Sequence, residues 1–133
     1  MIVRILGVAA CLLTSPVALG AQQTHEIRLV QGGRQGYSFE PSRVNVRPGD
    51  VVQFVVTSGG PYVVGFEPEG LSDRDRLLLD QALPEHTGPL RGPVLRGAGA
   101  RFRIIVPDLP KGQYRFLSVT HISYRMAGVL ILR

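Results

Sequence analysis

From His25 onward, apolar and polar positions alternate with a period of two, in short runs separated by Gly and Pro. Ile27 and Leu29 share one face of a strand predicted over His25 to Gln31, after which Gly32, Gly33 and Gly36 mark a turn. Val44 to Val46 is a short extended piece, and Pro48-Gly49-Asp50 turns the chain into Val51 to Thr57, rich in β-branched residues and carrying Phe54. Ser58 to Pro61 breaks that run, and Tyr62 to Phe66 resumes it. Further strands are predicted over Ala100 to Val106, where Phe102 and Ile104 alternate with Arg101 and Arg103, and over Gln113 to Val119 and Ala127 to Leu132. One segment has helical character. Ser72 followed by Asp75 resembles a capping box ahead of Arg76 to Leu83, and Pro84 stops it. Glu85 to Gly99, rich in Gly and Pro, reads as an irregular loop.

About seven short strands, no fixed-period repeat and no strand–helix alternation predict an all-β, Greek-key β-sandwich with one short helix on a crossover. The 133 residues suffice for one domain. The first 21 residues read as a signal peptide: Arg4 is its basic start, Ile5 to Leu13 its apolar stretch, and Ala18, Gly20 and Ala21 the small residues of a cleavage site. The folded domain is then 22–133, in a periplasmic or secreted protein. The apolar stretch is too short for a transmembrane helix. A second route is lipid attachment at Cys11, which closes a Val8-Ala9-Ala10-Cys11 box but lies very early in the chain. Cys11 is the only cysteine, so peptidase cleavage leaves a domain without thiol or disulfide.

The formal net charge is +5, and Lys111 is the only lysine. Arginines from Arg28 to Arg125 are dispersed and form no run, which argues for a solvated basic surface and against a nucleic-acid-binding one.

Two segments carry a family resemblance. Phe39-Glu40-Pro41, followed by Gly49-Asp50 and a Val-rich strand, resembles the opening half of plastocyanin- and azurin-type cupredoxins. Gly112-Gln113-Tyr114-Arg115-Phe116-Leu117-Ser118-Val119-Thr120-His121, running on to Met126-Ala127-Gly128, resembles their closing half, in which a Cys, a His and a Met bind copper. The Gly88 to Pro93 stretch also looks like one found in bacterial members. The resemblance implies ancestry among exported one-electron carriers whose type 1 copper is held by two imidazoles, a thiolate and a distant thioether.

This sequence departs from that ligand set. Tyr62 follows Gly60-Pro61 where the family has its first His, and Val63 replaces the neighbouring Asn. Ser118 stands at the cysteine position, while His121 and Met126 keep the second His and the axial Met. A serine hydroxyl stays protonated near neutral pH and is a poor copper ligand. Tyr62 would coordinate only as a phenolate, against an ordinary pKa of about 10. The expectation is therefore a metal-free interaction module with no cofactor, in which Tyr62 fills the metal's volume and bonds its hydroxyl to Ser118 or His121. Its partner would be an exported protein or a small ligand at the Tyr62/His121 end, on an apolar patch of Tyr62, Ile122, Tyr124 and Met126. The alternative is copper binding, for electron transfer or copper handling, through His121 and Met126 with His86 reaching in from the middle loop. His25 would bind Cu(II) only if processing made it the third residue. Ser118 and His121 have no motif-placed acid and no nucleophile elbow, so a hydrolase, and an enzyme generally, is not expected.

Overall fold

The computed structural model describes residues 21–34 and 36–133; of the expected signal peptide, all but Ala21, including Cys11, lies outside the described residues. Nine strands are present among them. The first sheet contains β1 (Thr24–Gln31), β2 (Tyr37–Glu40), β4 (Val51–Val56) and β7 (Arg101–Ile105), in the order β2-β1-β4-β7. The second contains β3 (Arg43–Val46), β5 (Tyr62–Phe66), β6 (Arg91–Leu95), β8 (Gly112–Ser118) and β9 (Ala127–Leu132), in the order β3-β9-β8-β5-β6. β1 runs parallel to β4 and β3 parallel to β9, and the other pairings are antiparallel.

The alternation seen in the sequence is the alternation of the pleat. Ile27 and Leu29 of β1, and Phe102 and Ile104 of β7, point into the core, while Arg101 and Arg103 face solvent. Between the sheets, the Phe116 ring meets Phe39 edge-on at 4.8 Å and Phe54 at 5.4 Å, and Phe54 stacks on Phe102 at 5.0 Å. Such pairs each add roughly 0.5–1.5 kcal/mol beyond the area they bury. Gly128 on β9 is required by this packing, since a Cβ there would lie 2.4 Å from Phe116 Cζ and 2.8 Å from the Ser42 carbonyl oxygen.

The helix α1 (Asp73–Ala82) forms where expected, with the Ser72 side chain accepting from the Asp75 amide at 3.1 Å. It lies on the long connection between β5 and β6, which are neighbours in the second sheet. Three segments differ from the sequence expectation. The irregular loop expected over Glu85 to Gly99 contains β6, and Pro93 is tolerated there because β6 is the edge strand of its sheet. Tyr37–Glu40 pairs with β1 as an additional strand. Val119 leaves the strand predicted for it and begins a 3₁₀ segment, Val119–Tyr124, ended by Arg125 in the left-handed region at φ 55°.

Candidate functional site at one end of the sandwich

The residues singled out from the sequence come from β5, the end of β8 and the 3₁₀ segment. Tyr62 opens β5 and Ser118 closes β8, two strands that pair side by side. His121 sits within the 3₁₀ segment, and Met126 lies just past it, its carbonyl accepting from the Ser118 amide at 3.0 Å. All four side chains are buried.

Ser118 Oγ lies 3.0 Å from His121 Nδ1. Thr120 Oγ1 is 2.9 Å from the same nitrogen, 3.2 Å from Ser118 Oγ and 3.0 Å from the Pro61 carbonyl oxygen. One proton assignment uses all four contacts: Nδ1–H donates to the two hydroxyl oxygens, Ser118 donates to Thr120, and Thr120 donates to Pro61. Nε2 is then the ring's free acceptor. Burial holds the His121 pKa below its ordinary 6.5, which favours the neutral ring this arrangement needs.

Tyr62 packs against the imidazole, with ring centroids 4.9 Å apart. Its hydroxyl bonding differs from the expectation: the O–H donates to the Ser58 carbonyl oxygen at 2.6 Å, and not to Ser118 or His121. Tyr62 and the Ser58–Pro61 turn lie on one segment, and four residues of separation let the phenol reach back across it. Burial, reinforced by nearby Tyr37, pushes the Tyr62 phenol above its ordinary 10.0 and keeps it protonated. Among the described residues, no buried side-chain nitrogen or oxygen lacks a hydrogen-bond partner.

Two participants escaped the sequence reading. Tyr37, from the opposite sheet, packs against His121 with ring centroids 4.1 Å apart and planes tilted by 37°, and meets Tyr124 at 4.7 Å. Thr120 joins the hydroxyl network. Tyr37 gave no signal because it stands beside a turn and outside any predicted strand; Thr120 lies inside the cupredoxin-like Ser118–His121 stretch, at a position between the two that match the family's ligands. The expected apolar patch is smaller than anticipated. Tyr62 and Met126 are 0% and 1% exposed, which leaves Ile122 at 63% and Tyr124 at 48% on the surface. His86 does not join His121: its Nε2 bonds the Asp80 carbonyl and lies 3.6 Å from the Asp80 carboxylate, beyond the end of α1. His25 is paired with Asp50 at 3.0 Å, at the start of β1. Among the described residues, no group of three or more His, Cys, Asp or Glu is arranged to hold a metal ion.

No protein-family model matches the chain. Pseudoazurin of Paracoccus pantotrophus is 37% identical to it over 70 residues, a match spanning 50% of this chain and 48% of the pseudoazurin. Among solved structures, oxidised plastocyanin from Dryopteris crassirhizoma superposes with a TM-score of 0.62 over 81% of this chain and 99% of that one, at 22% identity. The chain has the cupredoxin fold. Pseudoazurin from Methylobacterium extorquens AM1 shares it with a TM-score of 0.53, 17% identity, and coverage of 83% and 75% of the two chains. The cupredoxin sandwich here thus ends in a hydroxyl, imidazole and phenol cluster. Among the described residues no helix is long and apolar enough to cross a membrane.

Proposed function

We propose that this protein is an exported, metal-free cupredoxin that serves as a non-enzymatic binding module. The observation that carries this reading is the direct contact between Ser118 and His121. At 3.0 Å these atoms are hydrogen-bonded to each other, and no ion fits between them. The residues at the family's ligand positions do not suit type 1 copper. Ser118 supplies a protonated hydroxyl in place of a soft thiolate, Tyr62 a phenol with a raised pKa, and the Nδ1 side of His121 is committed to hydroxyls. Met126 alone offers a soft donor, and it is packed into the core. The exposed pair Ile122 and Tyr124 lies directly beside the cluster and is the surface on which we place contact with an exported protein or small ligand.

Titration of the purified protein with Cu(I) and Cu(II), followed by binding heat and visible absorption, tests this. Binding no tighter than a surface histidine provides, and no visible band, supports the metal-free reading. Tight Cu(I) binding abolished by His121→Ala would overturn it in favour of a copper site built on His121 and Met126.

A further inference from the structure

The second sheet's outer face carries a depression that the cluster at the sandwich end does not use. β5 and β6 pair as Tyr62↔Leu95 and Val63↔Val94, then shift register to Gly65↔Arg91. The shift falls between Val63 and Gly65, and at Gly65 the floor has no side chain. A Cβ on Gly65 would come within 3.1 Å of the Leu90 carbonyl oxygen and 3.2 Å of Val119 Cγ2, and would occupy the bottom of the hollow. The hollow has a volume of about 370 Å³, within the range of roughly 300–1,000 Å³ common for small-molecule sites. Leu117 and Val119 form its apolar side and Ile122 its lip. A further depression of about 270 Å³ adjoins it, sharing Leu117, Ile122 and Glu67.

Its charge is one-sided. Arg76 from α1 and Arg91 from β6 line the first hollow. Arg76 Nη2 lies 3.5 Å from the Pro68 carbonyl oxygen, which holds the guanidinium at the rim. The single carboxylate lining it, Glu67, faces Arg115 at 3.5 Å. Ion pairs among the described residues engage Arg28, Arg74 and Arg115, and leave Arg76 and Arg91 without a carboxylate. An apolar hollow with two uncompensated guanidinium groups at its edge complements a molecule with an apolar body and an anionic head.

We propose that this hollow binds a small amphipathic carboxylate, its chain against Leu117, Val119 and Ile122 and its head between Arg76 and Arg91. The site is separate from the proposed interaction surface except for Ile122, and it stands whether or not His121 binds copper. The probe is decanoate below its micellar concentration, titrated at low salt by calorimetry and by methyl chemical shifts. The expected result is saturable one-to-one binding that perturbs Leu117, Val119 and Ile122. Decanol should bind at least tenfold more weakly, inorganic phosphate should not compete, and Arg76→Gln with Arg91→Gln should weaken decanoate about tenfold. Val119→Trp should block the site, whereas Ile105→Ser, which removes an exposed apolar residue on the other sheet, should leave binding unchanged. Absence of saturation, equal binding of decanol, or indifference to the arginine substitutions would overturn the proposal.

Discussion

Ser118 Oγ and His121 Nδ1 stand 3.0 Å apart, and their contact ties the end of β8 to the 3₁₀ segment that follows it. A thiolate and a second imidazole are what this arrangement lacks relative to a type 1 site. The double variant Tyr62→His, Ser118→Cys is therefore expected to bind Cu(II) with an intense visible absorption from the thiolate. Each single variant should lack that band. Visible spectra during copper titration check this, and a band in the unmodified protein would contradict it.

Tyr62 contributes through volume and through one hydrogen bond. Tyr62→Phe keeps the ring but leaves the Ser58 carbonyl without its 2.6 Å donor, and should cost about 1 kcal/mol. Tyr62→Ala also empties a fully buried site beside His121 and should cost roughly 3–5 kcal/mol. Denaturant melts of both variants, compared at equal slope, give the two numbers.

These costs explain what the sequence made legible. β5 and β9 have the predicted bounds because their apolar runs end at turns, and α1 begins just after Ser72 because its hydroxyl caps the first turn. β6 was hidden because Gly92 and Pro93 are poor strand formers, and only its place at the sheet edge, a property of the whole fold, makes them acceptable. At the candidate site, the resemblance to cupredoxins brought Ser118, His121 and Met126 to notice. It could not show Tyr37 crossing from the other sheet, nor the Tyr62 hydroxyl turning back to Ser58. Those depend on which atoms meet after the sheets have packed.

The depressed pKa of His121 makes a pH prediction with a definite sign. Its folded value lies below the unfolded 6.5, so the unfolded chain takes up a proton first. The stability tied to the neutral ring is complete above pH 6.5 and declines as the pH falls through the lower, folded value. His121→Gln should remove this component of the slope. Melting temperatures of both proteins between pH 4.5 and 8, on the order of the range around an ordinary histidine, would show it.

Asp50 acts at lower pH. Burial by itself would raise its pKa, but the hydrogen bond with His25 and the amides of Arg47 and Gln23 outweigh it and hold the carboxyl below 3.8. The stability it contributes is present above 3.8 and is lost as the pH falls through the depressed folded value. Asp50→Asn should lower stability at neutral pH by roughly 1–3 kcal/mol and flatten the acid limb of the stability profile. Urea melts at a series of acid pH values separate the two effects.

Gly128 sets a harder limit. Its missing Cβ leaves room for Phe116, which is fully buried against Phe39 and Phe54, so the ring has no free direction in which to retreat. The Ser42 carbonyl, 2.8 Å from the same Cβ position, is backbone beside β3, and the amide of Val129 donates to it at 2.8 Å. Neither neighbour yields without disturbing the core or the pairing of β3 with β9. Gly128→Ala should therefore cost about 3 kcal/mol, the upper end of overpacking by one methyl group. Pairing it with Phe116→Leu, which gives back ring volume, should recover part of that loss. Gly128→Ala melting like the unmodified protein would contradict the close approach of β9 to Phe116.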